Sequence, residues 1–352
     1  MDVDRRACDS ALTQDRAFDS SPTLSLAQDG VESSRFCLTY RPPYDWDAVL
    51  AFLGARATPG VEAVADGRYR RTISVDATRG HLINVRSVRL QADRHGPAKA
   101  GHYVREETSG LFQVSHLESQ SALDLEVHVP DPRTLPFIVD RVRRLFDLGA
   151  DPAVIGERLG ADPLLGQPLA RHPGIRTPGA WDGFELAVRA ILGQQVSVRA
   201  ATTIAGRVAS MFGSPLVLTE GRGLERLFPT AAQLADAAIE RAGVMPARAA
   251  TIRGLARRVT EGTIAFGSST DGPATRSALR GLPGIGDWTA EYIAMRAFGE
   301  RDAFPSGDLV LRRAAGGCTA RELGRKSEAW RPWRAYAVML LWQDATDLRH
   351  KS

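Results

Sequence analysis

Alternation of apolar and polar positions marks the first part of the chain. Residues 69–75 and 123–129 alternate with a period of two, which predicts two half-buried strands. The apolar run 36–40 predicts another strand, because a turn signal with two prolines follows it. Residues 46–55 carry apolar side chains at helical spacing, and an aspartate at the start can cap that helix.

After residue 133 the hydrophobic period is helical. Apolar side chains within 135–146 recur at i, i+3, i+4 and i+7 and predict an amphipathic helix. Further helical segments, separated by glycine and proline, are expected at 181–211, 231–242, 248–260, 275–280, 289–298 and 328–344. Strands followed by a long run of helices indicate segregated parts, so we predict an α+β fold class and not a Rossmann sheet.

Two segments show neither period. Residues 1–35 are polar, which predicts a disordered or vestigial tail. Residues 87–109 are basic and contain glycine and proline, which predicts a disordered surface insertion. His81, His95 and His102 lie in or near that insertion, but their spacing fits no compact metal-ligand motif. No metal site is therefore predicted.

Composition excludes several classes of protein. A hydrophobic fraction of 43% excludes a wholly disordered chain. No apolar run approaches the roughly 18 residues of a membrane span, and the first twenty residues lack the apolar stretch of a secretory signal. Cys8, Cys37 and Cys318 lie far apart, which argues against a disulfide framework and against a zinc or iron–sulfur site made of cysteines. We expect a soluble cytoplasmic protein without membrane contact.

The charge favours a polyanionic partner. The formal net charge is +4 with a pI near 9.2, and all but three of the 45 basic residues are arginine. Arginine is the cation whose planar fork matches phosphate. The alternative is an arginine-rich codon bias in a GC-rich genome, and composition alone does not separate the two.

A glycine hairpin lies between two predicted helices. Residues 282–286 read Leu-Pro-Gly-Ile-Gly, and Gly284 and Gly286 allow a tight reversal that exposes backbone N–H groups. Those donors precede a helix N-terminus, where the partial positive charge favours an anion. The pattern predicts that Gly284, Ile285 and Gly286 bind the DNA backbone as part of a helix–hairpin–helix. An ordinary helix–helix turn is the alternative.

The hairpin and four other features resemble a known family. The chain is similar over about residues 36–352, without the insertion, to the AlkA branch of the helix–hairpin–helix DNA glycosylase superfamily, the bacterial 3-methyladenine DNA glycosylase II type. The matching stretches are Tyr-Arg-Pro-Pro-Tyr-Asp-Trp (40–46), Arg-Ala-Ile-Leu-Gly-Gln-Gln-Val-Ser-Val (189–198), Leu-Pro-Gly-Ile-Gly-Asp-Trp-Thr-Ala-Glu-Tyr (282–292), a lone carboxylate at Asp308, and Trp-Arg-Pro-Trp-Arg-Ala-Tyr (330–336).

The resemblance implies an architecture. Its members have a TBP-like antiparallel sheet domain followed by two all-α domains, with the active-site cleft between the helical domains. On this chain the sheet domain corresponds to residues 36–133. The first helical domain corresponds to 134–182 completed by 301–352, and the domain with the helix–hairpin–helix to 183–300.

Asp308 is the candidate catalytic residue. Taken alone, an aspartate that opens the predicted helix 309–315 is an N-cap. The resemblance implies the family's catalytic carboxylate. Rupture of an N-glycosidic bond leaves positive charge on the sugar, and a carboxylate stabilises that charge and orients or deprotonates water. The two roles are compatible.

The resemblance also bears on the reaction type. Relatives that cleave the DNA strand carry a Schiff-base lysine two residues after the second glycine, and this position is Trp288. No lysine lies between residues 100 and 325. The implied enzyme is a monofunctional hydrolase of the N-glycosyl bond that uses water in base excision repair.

Aromatic and amide side chains complete the implied site. Trp288, Tyr292 and Trp342 match positions that receive a flipped base, and electron-rich rings attract the cationic base of an alkylated purine. Gln194 is assigned to the same base pocket, and Gln195 to the gap that the flipped base leaves. The alternative is that tryptophans at helical spacing belong to the hydrophobic core. We assign Trp330 and Trp333 to that core.

Other expectations concern partners and the N-terminus. Double-stranded DNA containing alkylated bases is the expected partner of a monomer that is nucleoid-associated through DNA. No cofactor is expected, although a monovalent cation at the hairpin stays open. Residues 4–20 resemble the start of Ada-type repair domains and are interpreted as a vestige, with an unrelated tail as the alternative. Two rival functions remain: a non-catalytic helix–hairpin–helix DNA-binding protein, and a glycosylase for mismatched or oxidised bases.

Overall fold

A six-stranded antiparallel sheet forms the N-terminal part. The computed structural model describes residues 23–26, 32–76, 107–216, 223–267 and 272–350. The strands are β1 (Thr23–Leu26), β2 (Glu32–Thr39), β3 (Glu62–Ala65), β4 (Arg68–Asp76), β5 (Glu107–Leu117) and β6 (Ala122–His128). Their order across the sheet is β1-β2-β6-β5-β4-β3.

The period-two pattern buries one face of the sheet. Phe36 of β2 pairs with Leu125 of β6, and Leu125 pairs in turn with Val114 of β5. All three side chains are buried, and α1 (Trp46–Gly54) contributes to the same core. Asp45 caps α1 by accepting from the Ala48 N–H at 3.0 Å. The strands expected at 36–40, 69–75 and 123–129 and the helix at 46–55 are confirmed.

Strands β1, β3 and β5 lie where no strand is predicted. β1 and the start of β2 fall within the expected tail 1–35, and residues 107–109 of the expected insertion belong to β5. The polarity of these segments hides them: Ser33 and Ser34 are buried although neither is apolar, and β3 has only four residues. The rest of the expected tail and of the insertion lies outside the described residues.

After the sheet, α-helices connected by loops follow along the described chain. They are α2 (Leu135–Leu145), α3 (Pro152–Leu159), α4 (Gly166–Arg171), α5 (Gly183–Leu192), α6 (Val198–Phe212), α7 (Ala231–Leu234), α8 (Pro246–Thr260), α9 (Gly272–Arg280), α10 (Asp287–Ala297), α11 (Leu309–Ala314), α12 (Ala320–Ser327) and α13 (Arg334–His350). The α+β fold class is confirmed. Among the described residues, no helix combines the length and the apolar character that a membrane span requires.

Buried side chains form two clusters. The first joins the sheet and α1 to side chains from 135–181 and 294–341, and the second comprises residues within 184–293. The sheet and the first helices therefore share one core. The expected boundary at residue 133 marks a change of secondary structure and not a gap between cores, because the buried apolar side chains of α2 belong to the same cluster as those of the sheet.

Candidate active site

A cavity of about 410 Å³ is lined by residues of both clusters. Its half-buried part is aromatic and includes Trp288, Tyr292 and Trp342 around Asp308. Its fully buried part is charged, with carboxylates and guanidinium groups from β3, β4 and α5. The structure therefore brings together four of the site residues expected from the sequence, although α10, α11 and α13 supply them separately.

Asp308 caps α11 and also faces the cavity. Its Oδ1 accepts from the N–H groups of Val310 at 2.9 Å and Leu311 at 3.0 Å, and from the Trp342 indole at 3.2 Å. Its Oδ2 accepts from the Trp288 indole at 2.9 Å. The cap bonds occupy only Oδ1, so a lone pair of Oδ2 stays available to a ligand. Asp308 is thus an N-cap whose carboxylate also lines the cavity.

Three aromatic rings form one wall beside that carboxylate. The Trp288 and Tyr292 rings stack with centroids 5.3 Å apart and planes 6° apart, and Trp342 lies 6.2 Å from Tyr292 at 50°. All three are half-buried. Trp330, by contrast, is only 1% exposed and donates its indole N–H to Asp162 at 2.7 Å, which confirms its assignment to the core. Trp333 is partly buried and packs against the same core.

Gln194 does not lie in the base pocket as expected. It is absent from the cavity lining, and its Nε2 donates to the Gly284 carbonyl at 2.8 Å and to the Thr289 hydroxyl at 3.1 Å. Arg248 donates to the Gln194 carbonyl. The reason for the difference is that a long amide reaches the unpaired turn carbonyl of the hairpin. Gln194 thereby links the loop after α5 to the hairpin.

Gln195 projects from that loop into solvent. Its φ of 55° is in the left-handed region, which a non-glycine residue adopts only where the surroundings enforce it. The side chain is exposed, and Val196 beside it is exposed as well and lines the cavity. Gln195 thus lies on an exposed loop beside the cavity.

The three residues of the hairpin, Gly284, Ile285 and Gly286, differ in their packing and exposure. Gly284 has φ 89°, and a Cβ there would lie 2.3 Å from the Thr251 hydroxyl, so this glycine is required by packing. Ile285 has a side chain that is 5% exposed, and its N–H donates to the Leu282 carbonyl at 3.1 Å. Gly286 faces open space and starts α10 without any side-chain cap.

Glu291 links α9 to the loop before Asp308 and is not among the residues predicted from the sequence. Its Oε1 lies 3.2 Å from Arg276 and 2.9 Å from Arg280, both on α9. Its Oε2 accepts from the Phe304 N–H at 3.1 Å. One carboxylate on α10 thus braces α9 and fixes the segment that leads to Asp308. Its place one residue before Tyr292 is the only sequence signal for it.

Glu62 is the centre of a buried charge network at the inner end of the cavity. It accepts from the Thr58 N–H at 3.1 Å, Tyr69 at 2.5 Å, Arg71 at 3.0 Å and Arg189 at 2.7 Å. Burial raises the pKa of this carboxyl, but Arg71, Arg189 and the hydrogen bonds outweigh burial and lower the pKa to about 2. Glu62 is therefore a fixed negative charge.

Glu185 is the second carboxylate of this network and is far less well paired. Its Oε2 bonds to Arg71, whereas Oε1 has no hydrogen-bond partner among the described residues and lies 3.8 Å from Arg189. Burial raises the pKa of this carboxyl to about 7, with only partial compensation by Arg71. Two charged residues of the sheet, Glu62 and Arg71, thus meet two from α5, Glu185 and Arg189, which lie at least 114 positions further along the chain.

Comparison with known proteins places the chain in a family. A family model described as the AlkA N-terminal domain matches residues 35–182. DNA-3-methyladenine glycosylase 2 of Escherichia coli (strain K12) is 34% identical over 310 residues, which cover 87% of this chain and 96% of that protein. The probable bifunctional transcriptional activator/DNA repair enzyme AlkA of Mycobacterium tuberculosis (strain H37Rv) is 38% identical over 354 residues. That match covers 99% of this chain but 64% of the mycobacterial protein, so the chain spans about two thirds of this relative's length.

Solved structures show the same fold. The 3-methyladenine DNA-glycosylase from Archaeoglobus fulgidus superposes with a TM-score of 0.67 at 19% identity, covering 89% of this chain and 98% of that one. An 8-oxoguanine glycosylase/lyase from Clostridium acetobutylicum superposes with a TM-score of 0.63 at 16% identity, covering 94% and 100%. Extended similarity to the Escherichia coli protein, the family-model match and the shared fold lead to one conclusion: the chain belongs to the AlkA family of DNA-3-methyladenine glycosylases.

Proposed function

We propose that the protein is a monofunctional DNA N-glycosylase that flips alkylated bases of the 3-methyladenine type out of duplex DNA and releases them by hydrolysis. The observation that carries this proposal is the Asp308 carboxylate, held by two indole N–H groups at the side of a stacked aromatic wall. A non-catalytic DNA-binding protein needs neither the carboxylate nor the cavity. The similarity to DNA-3-methyladenine glycosylase 2 supports the substrate class.

The site residues divide the reaction between them. The rings of Trp288, Tyr292 and Trp342 replace the stacking that the flipped base loses and attract its positive charge. As the glycosidic bond breaks, the base leaves with the bonding electron pair and the sugar becomes oxocarbenium-like. Asp308 stabilises that positive charge, and a water adds to the sugar carbon while its proton passes to Asp308 or solvent.

The absence of strand cleavage follows from Trp288. Where a strand-cleaving relative has a lysine, this indole instead donates to Asp308 at 2.9 Å. An indole N–H has no lone pair for Schiff-base formation. We therefore propose that the product is an intact strand with an abasic site.

Release of free base from methylated duplex DNA tests the proposed activity. We expect 3-methyladenine to appear in the supernatant while the strand stays intact until alkali cleaves the abasic site. Duplexes with 8-oxoguanine or a mismatch, run in parallel, test the rival glycosylase activities. Binding of methylated DNA without base release would favour the non-catalytic alternative, and strand breaks without alkali would contradict the monofunctional mechanism.

We further propose that the hairpin grips the DNA backbone through Gly286 and the first N–H groups of α10. The first N–H groups of a helix have no intrahelical partner, and the open space around Gly286 lets a phosphate approach them. The hairpin would thus bind every duplex alike.

The Gly286→Val variant should lose affinity for lesion-containing and undamaged duplexes equally. The loss should be roughly tenfold or more, because the added side chain blocks a hydrogen bond to a charged phosphate. Titrations at several salt concentrations measure it, since phosphate contacts release counterions. Gly149→Val is the matched control, because Gly149 also faces open space and lies away from the cavity. A loss restricted to one DNA sequence would refute the backbone role.

We propose in addition that the carbonyl oxygens of the hairpin can bind a monovalent cation. The carbonyls of Leu282, Pro283 and Gly284 each accept one hydrogen bond, from Ile285, Thr251 and Gln194 respectively. A carbonyl oxygen has two lone pairs, so each keeps one for a weakly held cation. We also propose that the protein acts as a monomer on alkylated DNA in the cytoplasm, at the nucleoid.

A further inference from the structure

The end of α13, from residue 342 to residue 347, forms part of the cavity wall. The side chains of residues 335–341 are buried in the core, whereas those of 342–347 are half-buried or exposed. Trp342 and Thr346, one turn apart on the same side of the helix, line the cavity. Because core packing is weaker at this end of the helix, polar contacts must hold it in position.

His172 supplies such a contact on the adjacent side of the helix. Nε2 of its ring lies 2.9 Å from Oδ2 of Asp347. The other carboxylate oxygen of Asp347 accepts from Nε2 of Gln343 at 3.0 Å. Arg171, the neighbour of His172, pairs with Asp344 on the same helix. The segment that carries Trp342 is therefore tied down through three of its polar side chains.

The same ring also contacts the start of α1. Nδ1 of His172 lies 3.0 Å from Oδ2 of Asp45, whose Oδ1 accepts from the Ala48 N–H and caps the helix. At its other end α1 leads to Leu53 and Arg56, which line the cavity. The His172 side chain is only 12% exposed. It thus joins two elements that contribute to the cavity wall.

The two contacts require a ring that carries two protons. An ionised carboxylate only accepts hydrogen bonds, and a neutral imidazole has a single N–H. The neutral ring can therefore donate to Asp45 or to Asp347, and its other nitrogen then faces an acceptor. The imidazolium donates to both. The neighbouring charges, Arg171 at the end of α4 and Asp344 on α13, pair with each other.

We propose that His172, as an imidazolium, is a positioning residue that holds the end of α13 so that the Trp342 indole keeps its bond to Asp308 at 3.2 Å. This inference rests on the proposed glycosylase function. Loss of the second ring proton releases one carboxylate, and the end of α13 gains freedom. Base release then slows by about tenfold or more, because a small misplacement beside the reacting atoms has a large effect on rate.

Two substitutions imitate the two states of the ring. His172→Gln offers one donor group and one acceptor, as the neutral imidazole does, whereas His172→Arg keeps its charge and several donors at every pH. His128→Gln is the matched control, because His128 contacts one carboxylate, Glu126 at 2.9 Å, and does not line the cavity. We expect all three variants to bind DNA as the wild type does.

Nuclear magnetic resonance of the indole N–H groups tests the coupling without DNA. The signal of Trp342, assigned through Trp342→Phe, should shift between about pH 5 and 8 in the wild type. It should move much less in His172→Arg and in His172→Gln, so either variant serves if the other does not fold. Shifts common to all these proteins come from other groups, including Asp308. Equal shifts in the wild type and the variants would overturn the proposal.

Single-turnover base release tests the consequence for the reaction. The ratio of the wild-type rate to that of His172→Gln should fall from about ten towards one between about pH 5 and 8, and His172→Arg should keep the high ratio throughout. A ratio removes pH effects that the proteins share. If none of the proteins releases base, the proposed function fails. If base is released and the wild-type ratio is constant, or if His128→Gln slows release equally, the role of His172 fails.

Discussion

The Asp308→Asn variant should bind lesion-containing DNA and release base at least about a hundredfold more slowly than the wild type. That magnitude is typical when one preorganised electrostatic contact to a transition state is removed. Asparagine is among the best N-cap residues, and its oxygen can keep the two backbone bonds that Oδ1 accepts. The fold should therefore survive while the negative charge disappears.

The Trp288 indole adds a second effect, which a control separates. In the wild type, the Trp288 indole N–H donates to Oδ2 of Asp308 at 2.9 Å. In the variant, the asparagine NH₂ group takes the place of Oδ2, so two hydrogen-bond donors face each other. Trp288→Phe removes this bond and keeps a smaller ring for stacking, so its loss of rate sets an upper limit on the cost of the lost bond. Asp151→Asn is the control for capping, since Asp151 accepts from Ala153 and Val154 at the start of α3, away from the cavity.

Single-turnover base release, a binding titration and a thermal melt distinguish the outcomes for Asp308. We expect Asp308→Asn to melt close to the wild type and to retain DNA affinity. We expect Asp151→Asn to leave the rate of base release unchanged. A folded Asp308→Asn variant with undiminished base release would leave Asp308 as a helix cap only.

The free energy of unfolding of the Glu62→Gln variant should fall by about 3 to 5 kcal/mol, which is the usual cost of removing one partner of a buried ion pair. The change removes the negative charge that Arg71 and Arg189 contact at 3.0 Å and 2.7 Å, and leaves them only the carboxylate of Glu185. Glu185→Gln is the matched control on the same network. It should cost much less, because the pKa of Glu185 near 7 means that this carboxyl is already partly neutral at neutral pH.

The two variants should also differ in their pH dependence. The pKa of Glu62 is about 2 in the folded state against 4.5 normally, so its contribution is present above pH 4.5 and is lost as the pH falls towards 2. The raised pKa of Glu185 acts in the opposite direction, since stability falls as the pH rises from 4.5 to about 7. Denaturant unfolding across both windows measures the differences, and parallel curves for wild type and Glu62→Gln would contradict this account.

Local sequence signals predicted the parts of the site that depend on short motifs. The glycines of the hairpin and the aspartate that opens α11 are visible because tight turns and helix starts have strong residue preferences. Trp288 and Tyr292 follow the hairpin directly, one helical turn apart, so a helix after it places both on one face. The roles of Trp288 and Tyr292 in a base pocket and of Asp308 in catalysis came from the family resemblance, which also needs no knowledge of tertiary packing.

The remaining features depend on contacts between distant segments. The network of Glu62, Arg71, Glu185 and Arg189 forms only when the sheet packs against α5, and each residue alone looks like an ordinary surface charge. The bonds from Gln194 to the hairpin were not foreseen for the same reason, since its partners are about 90 residues away. Strands β1 and β3 stayed hidden because four residues are too few to display a period.

The hydrogen bonds of Gln194 have a consequence for how DNA would be searched. They join the loop that carries Gln195 to the hairpin carbonyl of Gly284 at 2.8 Å. With the hairpin holding a phosphate, the probing side chain is set at a constant offset along the strand. Each time the hairpin binds a phosphate, Gln195 would then meet one nucleotide, always the same number of nucleotides away from that phosphate. The fixed distance between the bound phosphate and Gln195 would select the nucleotide that is tested, and recognition of the base itself would follow.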